Sequence, residues 1–342
     1  MRRGHLEALR PVCPVCRNAP LAVAIAAREE GDDLREGILV CTGPECLREY
    51  PVIDGIPILV SNIRAWTAAS LLQVTGRDDL SPEIESLLGD ASGPGSSYDT
   101  SRQHLSAYAW DHYGDLDPEE DGSPGSVRRL LDRALGLAGE IPDGPVLDVG
   151  CSVGRTSFTL AKRLDRTVVG IDLNFGMLRI ASRVLREGRV RYDRRRVGMV
   201  YDRRDFAADL PGREQTDVWC CDATVLPFAD GTFALAASLN VLDCVASPME
   251  SLSELARVLA PGGKALLATP YDWSSGATAV EGWLGGHSQR GPHRGASEPV
   301  LRALLPLEIL AEEPALPWRV RLHDRSAVEY AVHLLVLQSR RA

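Results

Sequence analysis

Four cysteines near the start of the chain are spaced as metal ligands are. Cys13 and Cys16 form one pair and Cys41 and Cys46 form a second, with 24 residues between the pairs. Four thiolates in two such turns suit a tetrahedral zinc ion, which needs no redox chemistry and closes a structural site. We therefore predict a zinc site with these four cysteines as its ligands, and two thiol turns without metal are the alternative. Because four cysteines leave no open position, this zinc would not be catalytic.

A second group of residues has the types and spacing of a nucleotide-like ligand site. Gly150 and Gly154 follow an apolar strand and precede a helix, so the backbone can approach a ligand closely and the helix start offers free N–H groups. Asp148 stands just inside this turn, and Asp172 ends the next apolar strand, where its carboxylate can accept hydrogen bonds from ribose hydroxyls. Dinucleotide dehydrogenases use a related turn, but Ser152 occupies the place of their middle glycine, which argues against that class.

Two later segments narrow the identity of the ligand. Residues 221–228 and 257–264, together with the glycine turn and Asp172, resemble class I S-adenosylmethionine-dependent methyltransferases over residues 126–272. The resemblance implies S-adenosylmethionine as cofactor, with Asp222 and the next backbone N–H reading the adenine edge. The cofactor contacts that it implies are Asp148, Gly150, Cys151, Gly154, Asp172, Leu173, Asp222, Ala223 and Asn240. A nucleotide-binding α/β domain of another chemistry is the alternative.

The segment that follows the cysteines carries a second resemblance. Residues 50–59 resemble the small zinc-ribbon proteins that activate methyltransferases, and the ribbon fused ahead of a bacterial ribosomal-RNA guanine methyltransferase. In the first group the ribbon stabilises a catalytic domain, and in the second it helps to grip RNA. Residues 1–62 carry seven arginines and nine acids, a net charge of −2, whereas phosphate binding needs a basic surface. We therefore interpret the ribbon as structural, or as one wall of the substrate cavity.

The segments after the fourth and fifth strands of the core are candidates for the acceptor site, because ligands lie at the carboxyl ends of such sheets. Residues 240–248, 269–273 and 283–287 resemble the methyltransferase domain of ovothiol-making enzymes, which methylates a ring nitrogen of 4-mercaptohistidine. The resemblance implies a small-molecule acceptor, a histidine-like imidazole or related amine. Asp243 would orient it, as a comparable aspartate does in carnosine methyltransferases, and capping of the following helix is the alternative for Asp243.

Three other residues of these segments are candidate catalytic groups. Tyr271 and Trp273 could form an aromatic wall of the acceptor site or could pack under a lid. His287 follows two glycines and could be a base or a solvated loop histidine. If the Asp243 carboxylate accepts one ring N–H, the lone pair of the other ring nitrogen stays free to attack.

Two segments outside these motifs are unusual in composition. Residues 189–204 contain seven arginines and two aspartates, a net charge of +5, and could clamp a substrate carboxylate. A solvated, internally paired insertion is the alternative. Residues 98–113 are unusually aromatic for a linker, and similar segments ahead of methyltransferase cores close over the cofactor. Tyr98, Tyr108 and Tyr113 are therefore candidates for a lid.

The order of predicted elements gives the fold class. From Val127 onward apolar strands alternate with helical segments, which predicts an α/β fold with a Rossmann-like, doubly wound sheet. Residues 318–323 and 332–338 are predicted to end it as an antiparallel hairpin. We divide the chain into a zinc ribbon at residues 1–62, a linker and helical lid at 63–125 and a methyltransferase domain at 126–342.

Composition narrows the possible functions. The net charge of −9 provides no global field that would draw nucleic acid or an acidic membrane. The apolar runs are too short to span a bilayer and no signal-peptide core follows Met1, so we expect a cytoplasmic protein, with a homodimer left open. Transfer of a methyl group to a nitrogen of a small molecule is our first hypothesis. An RNA base methyltransferase, a natural-product O-methyltransferase and a non-catalytic scaffold that binds cofactor and a partner are the alternatives.

Overall fold

A computed structural model describes residues 1–340 of the chain. The first 62 residues form one short helix and a four-stranded antiparallel ribbon. The bounds of these elements are α1 Arg3–Leu9, β1 Leu21–Glu30, β2 Asp33–Cys41, β3 Glu49–Ile53 and β4 Ile56–Leu59. Strands β1 to β4 pair in chain order, and the turns that hold the four cysteines lie at one end of the ribbon.

Three helices follow the ribbon, and we call them the cap. They are α2 Ile63–Thr75, α3 Pro82–Ser92 and α4 Ser97–Tyr113. All three helices lie within residues 63–125, the segment that the sequence predicted to be a linker and helical lid. Each of the three begins at a side-chain cap, because Asn62, Ser81 and Ser96 each accept a hydrogen bond from a backbone N–H in the first turn.

The rest of the chain alternates strands and helices. Its elements are α5 Ser126–Ala138, β5 Val146–Val149, α6 Arg155–Leu164, β6 Val168–Asp172, α7 Phe175–Glu187, β7 Arg189–Val197, β8 Val200–Ala207, β9 Thr216–Cys221, β10 Phe233–Leu239, α8 Pro248–Val258, β11 Leu259–Thr269, α9 Ser297–Leu304, β12 Glu308–His323 and β13 Ser326–Gln338. Strands β12 and β13 form the predicted antiparallel hairpin, and they begin ten and six residues earlier than the sequence indicated.

The central sheet has eleven strands in the order β1-β2-β3-β4-β9-β6-β5-β10-β11-β13-β12. Strands β4, β9, β6, β5, β10 and β11 pair in parallel, and β13 and β12 add an antiparallel hairpin at the far edge. The inner strand β5 is buried along its whole length, as a strand covered on both faces must be. This mostly parallel sheet with helices confirms the predicted α/β, Rossmann-like fold class.

The ribbon and the Rossmann-like core share this sheet. Ile58 and Leu59 of β4 pair in parallel with Cys220 and Cys221 of β9. The ribbon therefore packs on the Rossmann-like core of its own chain.

No helix among residues 1–340 is long and apolar enough to cross a bilayer.

Candidate functional site

A cavity of about 510 Å³ opens at the carboxyl ends of the parallel strands, beneath helix α4. This is the edge at which doubly wound sheets bind ligands. Seven of the nine predicted cofactor contacts line the cavity, namely Asp148, Gly150, Asp172, Leu173, Asp222, Ala223 and Asn240. Cys151 and Gly154 belong to the same glycine turn but do not line it, and Cys151 is fully buried.

The glycine turn has little room for side chains. Gly150 has a φ of +70°, and a Cβ built on it would lie 2.3 Å from Cγ2 of Val241. The N–H groups of Gly150 and Cys151 both donate to the carbonyl of Ile171, which ties the turn to β6. Ser152, which stands where dehydrogenases have a glycine, adopts a φ of +53°. It therefore takes the left-handed conformation that favours glycine, and its backbone N–H donates to Asp172.

Asp172 is held by the backbone while it lines the cavity. Its Oδ2 accepts the N–H of Ser152 at 3.0 Å and its Oδ1 accepts the N–H of Asn174 at 2.8 Å. Burial raises the pKa of this carboxyl above its usual value. Since a carboxylate has about four acceptor positions, about two stay available for ligand hydroxyls.

Asp148 lines the cavity and also holds the glycine turn in place. It is 2% exposed, and its Oδ2 accepts the hydroxyls of Thr156 and Ser157, each at 2.6 Å. These bonds tie the end of β5 to the start of α6. Burial raises the pKa of Asp148 to about 6.

A second cavity of about 470 Å³ adjoins the first at Leu173 and Asp222. Asp222 binds its own turn, because its Oδ1 accepts both the N–H and the hydroxyl of Thr224. Helix α2 forms the opposite wall of this second cavity, and the indole N–H of Trp66 donates to the carbonyl of Leu173 at 3.2 Å. The sequence gave no sign that α2 reaches this point, because Trp66 lies more than 100 residues from its partner.

Asn240 presents a complete amide to the cavity. It follows β10 with a φ of +58°, and neither its Oδ1 nor its Nδ2 has a hydrogen-bond partner among residues 1–340. Buried polar atoms normally find partners, and strained backbone is concentrated at ligand sites. The amide is therefore suited to bind a polar ligand.

Asp243 lies between two cavity-lining residues, Val241 and Cys244, and is 2% exposed. Its Oδ2 accepts the N–H of Asp272 at 2.8 Å, and its Oδ1 has no partner in the described chain. Burial raises the pKa of Asp243 to about 6. The side chain that caps α8 is Ser247, so the capping alternative for Asp243 does not apply.

None of the four predicted catalytic residues, Asp243, Tyr271, Trp273 and His287, lines the cavity itself. The Tyr271 hydroxyl donates to Nδ1 of His333 at 2.5 Å, and Nε2–H of His333 donates to Glu312 at 2.6 Å. The Trp273 ring stacks on Trp283, with its N–H bonded to Ser297. For His287, the contact made by the ring is with the carbonyl of Gly285. These residues shape the loop after β11, and the same loop places Ser274, Gly276 and Ala277 in the cavity wall.

Helix α4 covers the cavity, as expected of a lid. Of its three tyrosines only Tyr108 lines the cavity, while Tyr113 donates to the carbonyl of Val153 and Tyr98 lies against Arg102. The sequence reasoning missed His112, which is fully enclosed with no partner for Nδ1 among the described residues. Burial, reinforced by the charge of Arg155, lowers the pKa of His112 to about 3, so the ring is neutral.

The arginine-rich segment does not bind at the cavity. Residues 189–207 form the β7-β8 hairpin, and its arginines pair with acids of the cap and nearby loops. Arg203 binds Glu85 and Asp193, while Arg204 binds Asp117 and Glu119. None of the seven predicted arginines lines the cavity. The interpretation as an internally paired insertion is correct, and the substrate clamp is wrong because these cations hold the cap.

The four cysteines come together as metal ligands do. The Sγ atoms of Cys13, Cys16, Cys41 and Cys46 all lie within 4.8 Å of one another. The Cys13–Cys46 and Cys16–Cys41 separations are 3.7 and 3.6 Å. Tetrahedral zinc with Zn–S bonds of 2.3 Å requires sulfur separations of about 3.8 Å, so the cluster has the size of a zinc site.

Comparison with known proteins agrees with this architecture. A family model described as a methyltransferase domain matches residues 147–267. Ajmaline N-methyltransferase of Rauvolfia serpentina is 28% identical over 177 residues, which are 49% of this chain and 51% of that protein. Methyltransferase GfsG of Streptomyces halstedii is 30% identical over 183 residues, 51% of this chain and 56% of its own. The chloroplastic tocopherol O-methyltransferase of Arabidopsis thaliana is 25% identical over 186 residues, 50% of this chain and 47% of its own.

The chain spans about half the length of the curated relatives it matches. The matched residues begin at the glycine turn and end in β11, so they contain the cavity residues from Asp148 to Ala246. Residues 147–267 are thus a class I, S-adenosylmethionine-dependent methyltransferase domain.

Proposed function

We propose that this chain transfers a methyl group from S-adenosylmethionine to a nitrogen of a small molecule, an imidazole or a related amine. The observation that carries the proposal is the pair of polar side chains at the ends of β6 and β10. Asp172 retains acceptor positions and Asn240 has an amide without partners, and both line one cavity beside a glycine turn. Bound there, S-adenosylmethionine supplies an electrophilic methyl group on a sulfonium.

The predicted contacts suit different parts of the cofactor. The Asp172 carboxylate suits ribose hydroxyls, and Leu173, Asp222 and Ala223 suit the adenine ring. The turn from Gly150 to Gly154 lets the cofactor approach the backbone, with Asp148 holding that turn to α6. The Asn240 amide can bind the methionine part of the cofactor or the acceptor.

On the acceptor side we assign the positioning role to Asp243. The Oδ1 atom of this buried carboxylate lacks a partner, and an N–H of an imidazole or amine would satisfy it. Accepting that N–H leaves a lone pair on the reacting nitrogen. Tyr271, Trp273 and His287 then act by shaping the loop that carries Ser274 to Ala277, without touching the acceptor.

For the ribbon we propose a structural zinc held by Cys13, Cys16, Cys41 and Cys46. The backbone N–H of Gly43 donates to Sγ of Cys41, a contact that stabilises a ligating thiolate. Four ligands close the coordination sphere, so this zinc would stabilise the turns of the ribbon and leave methyl transfer to the Rossmann-like core.

Two alternatives keep some support. O-methyl transfer is favoured by the similarity to the tocopherol enzyme, and the cavity alone does not distinguish nitrogen from oxygen acceptors. RNA base methylation would use the ribbon as a basic surface, but ribbon arginines are engaged within the protein: Arg3 with Glu29, Arg17 with Glu254, Arg28 with Glu36 and Arg35 with Asp33. The net charge of −9 also disfavours RNA.

Calorimetry with S-adenosylhomocysteine tests the cofactor site. We expect binding by the wild-type protein and at least tenfold weaker binding by Asp172→Ala, since the ribose hydroxyls lose their acceptors. Asp209→Ala, at an exposed side chain outside the cavity, is the control and should bind normally. Absence of binding by the wild type would overturn the proposal.

A panel of amines, imidazoles, phenols and a short RNA with labelled cofactor then tests the acceptor. We expect transfer to nitrogen compounds. Transfer to phenols or RNA alone would reassign the acceptor, and an intact cofactor site without turnover on any acceptor would favour a non-catalytic scaffold.

A further inference from the structure

The charge of the cavity restricts which acceptor can enter it. Three aspartates, Asp148, Asp172 and Asp222, line the cavity, whereas no lysine or arginine of residues 1–340 does. Two histidines also line it, His104 and His112, and burial lowers the pKa of both, so neither supplies a positive charge near pH 7. S-adenosylmethionine carries a carboxylate but is cationic overall because of its ammonium and sulfonium groups. A carboxylate or phosphate on the acceptor would instead add negative charge to an acidic cavity in which no cationic side chain of the described residues receives it.

The arginines of the chain that might have received an anion are engaged elsewhere. Arg203 binds Glu85 of the cap, Arg204 binds Asp117 of the loop after α4, and Arg194 binds Glu120 and Asp324. Moving one of them into the cavity would leave buried acids without a partner, which is costly.

Two aromatic side chains, Tyr108 and Trp318, line the cavity, and we call them with Tyr330 the aromatic wall. The Trp318 ring stacks on Tyr330 with ring centres 5.4 Å apart. Trp318 is fixed in place, because its N–H donates to the buried carboxylate of Asp111. The faces of such rings attract cations.

Two further carboxylates, Asp243 and Asp272, are one and two residues from Cys244 and Ser274, which line the cavity, but they do not line it themselves. The hydroxyl of Tyr330, the stacking partner of Trp318, donates to Oδ2 of Asp272 at 2.9 Å, and the N–H of Asp272 donates to Asp243. Asp272 is exposed, whereas Asp243 is 2% exposed and keeps one oxygen without a partner in the described chain. Aromatic rings next to carboxylates suit an organic cation, and the second oxygen of Asp243 can accept an N–H from it.

From this arrangement we propose that the acceptor is a cationic amine without a carboxylate or phosphate, held between the Tyr108–Trp318–Tyr330 wall and the carboxylates of Asp243 and Asp272. The inference rests on the proposed function and narrows its substrate class. It departs from the zwitterionic amino acid that the ovothiol resemblance implies.

The chemistry balances with a diamine of this kind. The ammonium group stays protonated between the aromatic rings and Asp272. Asp243 accepts an N–H of the reacting imidazole or amine, and the neutral nitrogen of that group attacks the methyl carbon. The new N–C bond forms as the S–CH₃ bond breaks. The electron pair of the broken S–CH₃ bond stays on sulfur, which gives S-adenosylhomocysteine. The methylated nitrogen, or its conjugated ring partner, then loses one proton to water.

Histamine and histidine are a matched pair of probes, since both carry an imidazole and an ammonium and only histidine carries a carboxylate. Calorimetry on the protein saturated with S-adenosylhomocysteine measures binding without turnover, and mass spectrometry of products measures transfer. We expect histamine to bind at least tenfold more tightly and to be methylated with at least tenfold higher kcat/KM. Equal or better binding of histidine would overturn the proposal while leaving N-methyl transfer intact. If neither probe nor any other amine binds while S-adenosylhomocysteine does, the proposed nitrogen acceptor itself fails.

Two variants locate the cation site. Trp318→Leu removes an aromatic face and should weaken histamine binding about tenfold, whereas Arg319→Leu, at an exposed neighbouring position on β12, should not. Cys244→Arg adds a cation to the cavity wall without altering the aromatic residues. We expect it to reverse the preference, so that histidine binds better than histamine. A preference unchanged by Cys244→Arg in a folded protein would contradict the charge argument.

Discussion

Arg17 of the ribbon binds Glu254 of α8 through two hydrogen bonds, at 2.8 Å to Oε1 and 3.1 Å to Oε2. Oε2 of Glu254 also accepts the backbone N–H of Leu226, in the segment that follows the cavity-lining Asp222. Arg17 comes directly after the metal-ligand candidate Cys16. A single carboxylate thus joins the cysteine site to the loop that carries Asp222 and Ala223 in the cavity wall.

Arg17→Ala should therefore weaken cofactor binding from a distance. Glu254 would keep Arg257 but lose two charged hydrogen bonds, and the segment after Asp222 would be held less firmly. We expect the Kd of S-adenosylhomocysteine to rise about threefold to tenfold, which corresponds to about 1 kcal/mol. Arg28→Ala is the control, because its exposed pair with Glu36 lies wholly within the ribbon. If Arg17→Ala and Arg28→Ala change the Kd equally, the Arg17–Glu254 pair does not couple the ribbon to cofactor binding.

Loss of one cysteine should disturb the link between the ribbon and the cavity more strongly than Arg17→Ala does. Cys46→Ser removes a thiolate, so we expect bound zinc to fall from about one equivalent per chain to below half. Because β4 pairs with β9, loosening the ribbon also exposes an edge of the central sheet. We expect a loss of about 2 kcal/mol of stability, or about 4–8 °C in Tm.

Elemental analysis and thermal unfolding measure these two effects. Glu45→Ala changes an exposed residue of the same turn without removing a thiol, and it should leave zinc content and Tm unchanged. Wild-type protein that carries no zinc even after supplementation would exclude a metal site.

The parts of the site that sequence reasoning placed correctly are those fixed locally. The run Val146–Val149 is apolar because both faces of β5 are covered, and the glycine turn must follow such a strand directly. Asp172 is the last residue of β6 and directly follows four buried residues. Because parallel strands end at the same edge of the sheet, Asp172 reaches the cavity at that edge.

Long-range pairing explains what the sequence did not show. In β7, the buried residues Val190 and Tyr192 alternate with arginines, which is a strand pattern. The high density of charged residues made this pattern hard to recognise in the sequence. In the facing strand β8, Arg203 and Arg204 bind Glu85 and Asp117, which are about ninety or more residues away in the chain. Tyr271 has a φ of +58°, and its hydroxyl binds His333 of β13, a contact that no local motif predicts.

The cap should open when its arginine pairs are broken. Arg203 binds Glu85 of α3 and Asp193 of β7, and all three side chains are at most 15% exposed. Arg203→Ala leaves two buried acids without their shared cation, which costs about 3 kcal/mol. We expect faster hydrogen exchange in α3 and α4 and weaker cofactor binding, because α4 covers the cavity.

Arg189→Ala provides the comparison for this variant, since the pair that Arg189 makes with Asp205 is exposed and lies within the hairpin. It should leave exchange in the cap unchanged. Arg203→Lys should give an intermediate result, because an ammonium cannot bind both acids with the planar geometry of a guanidinium. Unchanged exchange in Arg203→Ala would mean that packing alone holds the cap.

Asp243 should give opposite pH dependences for stability and for activity. Burial raises its pKa to about 6, above the usual 3.8, so the folded state holds a proton that the unfolded state releases at lower pH. Its contribution to stability is therefore present below pH 4 and is lost as the pH rises towards 6. Holding a cationic amine needs the ionised carboxylate, so kcat/KM for an amine should rise through about pH 6.

Asp243→Asn separates these effects because the amide oxygen can still accept the N–H of Asp272 and carries no charge. At pH 8 the variant should be more stable than the wild type by about 1–3 kcal/mol, and at pH 4 the difference should vanish. For an acceptor whose nitrogens do not titrate near pH 6, kcat/KM of the variant should be low throughout and should lose the rise near pH 6; an imidazole titrates in this range itself and is unsuitable here. Asp148 also has a pKa of about 6, but it is present in both proteins and cancels in the difference. A variant that is less stable at pH 8 would show that Asp243 is not an unfavourable buried charge, and a variant that keeps the rise would show that Asp243 does not hold the amine.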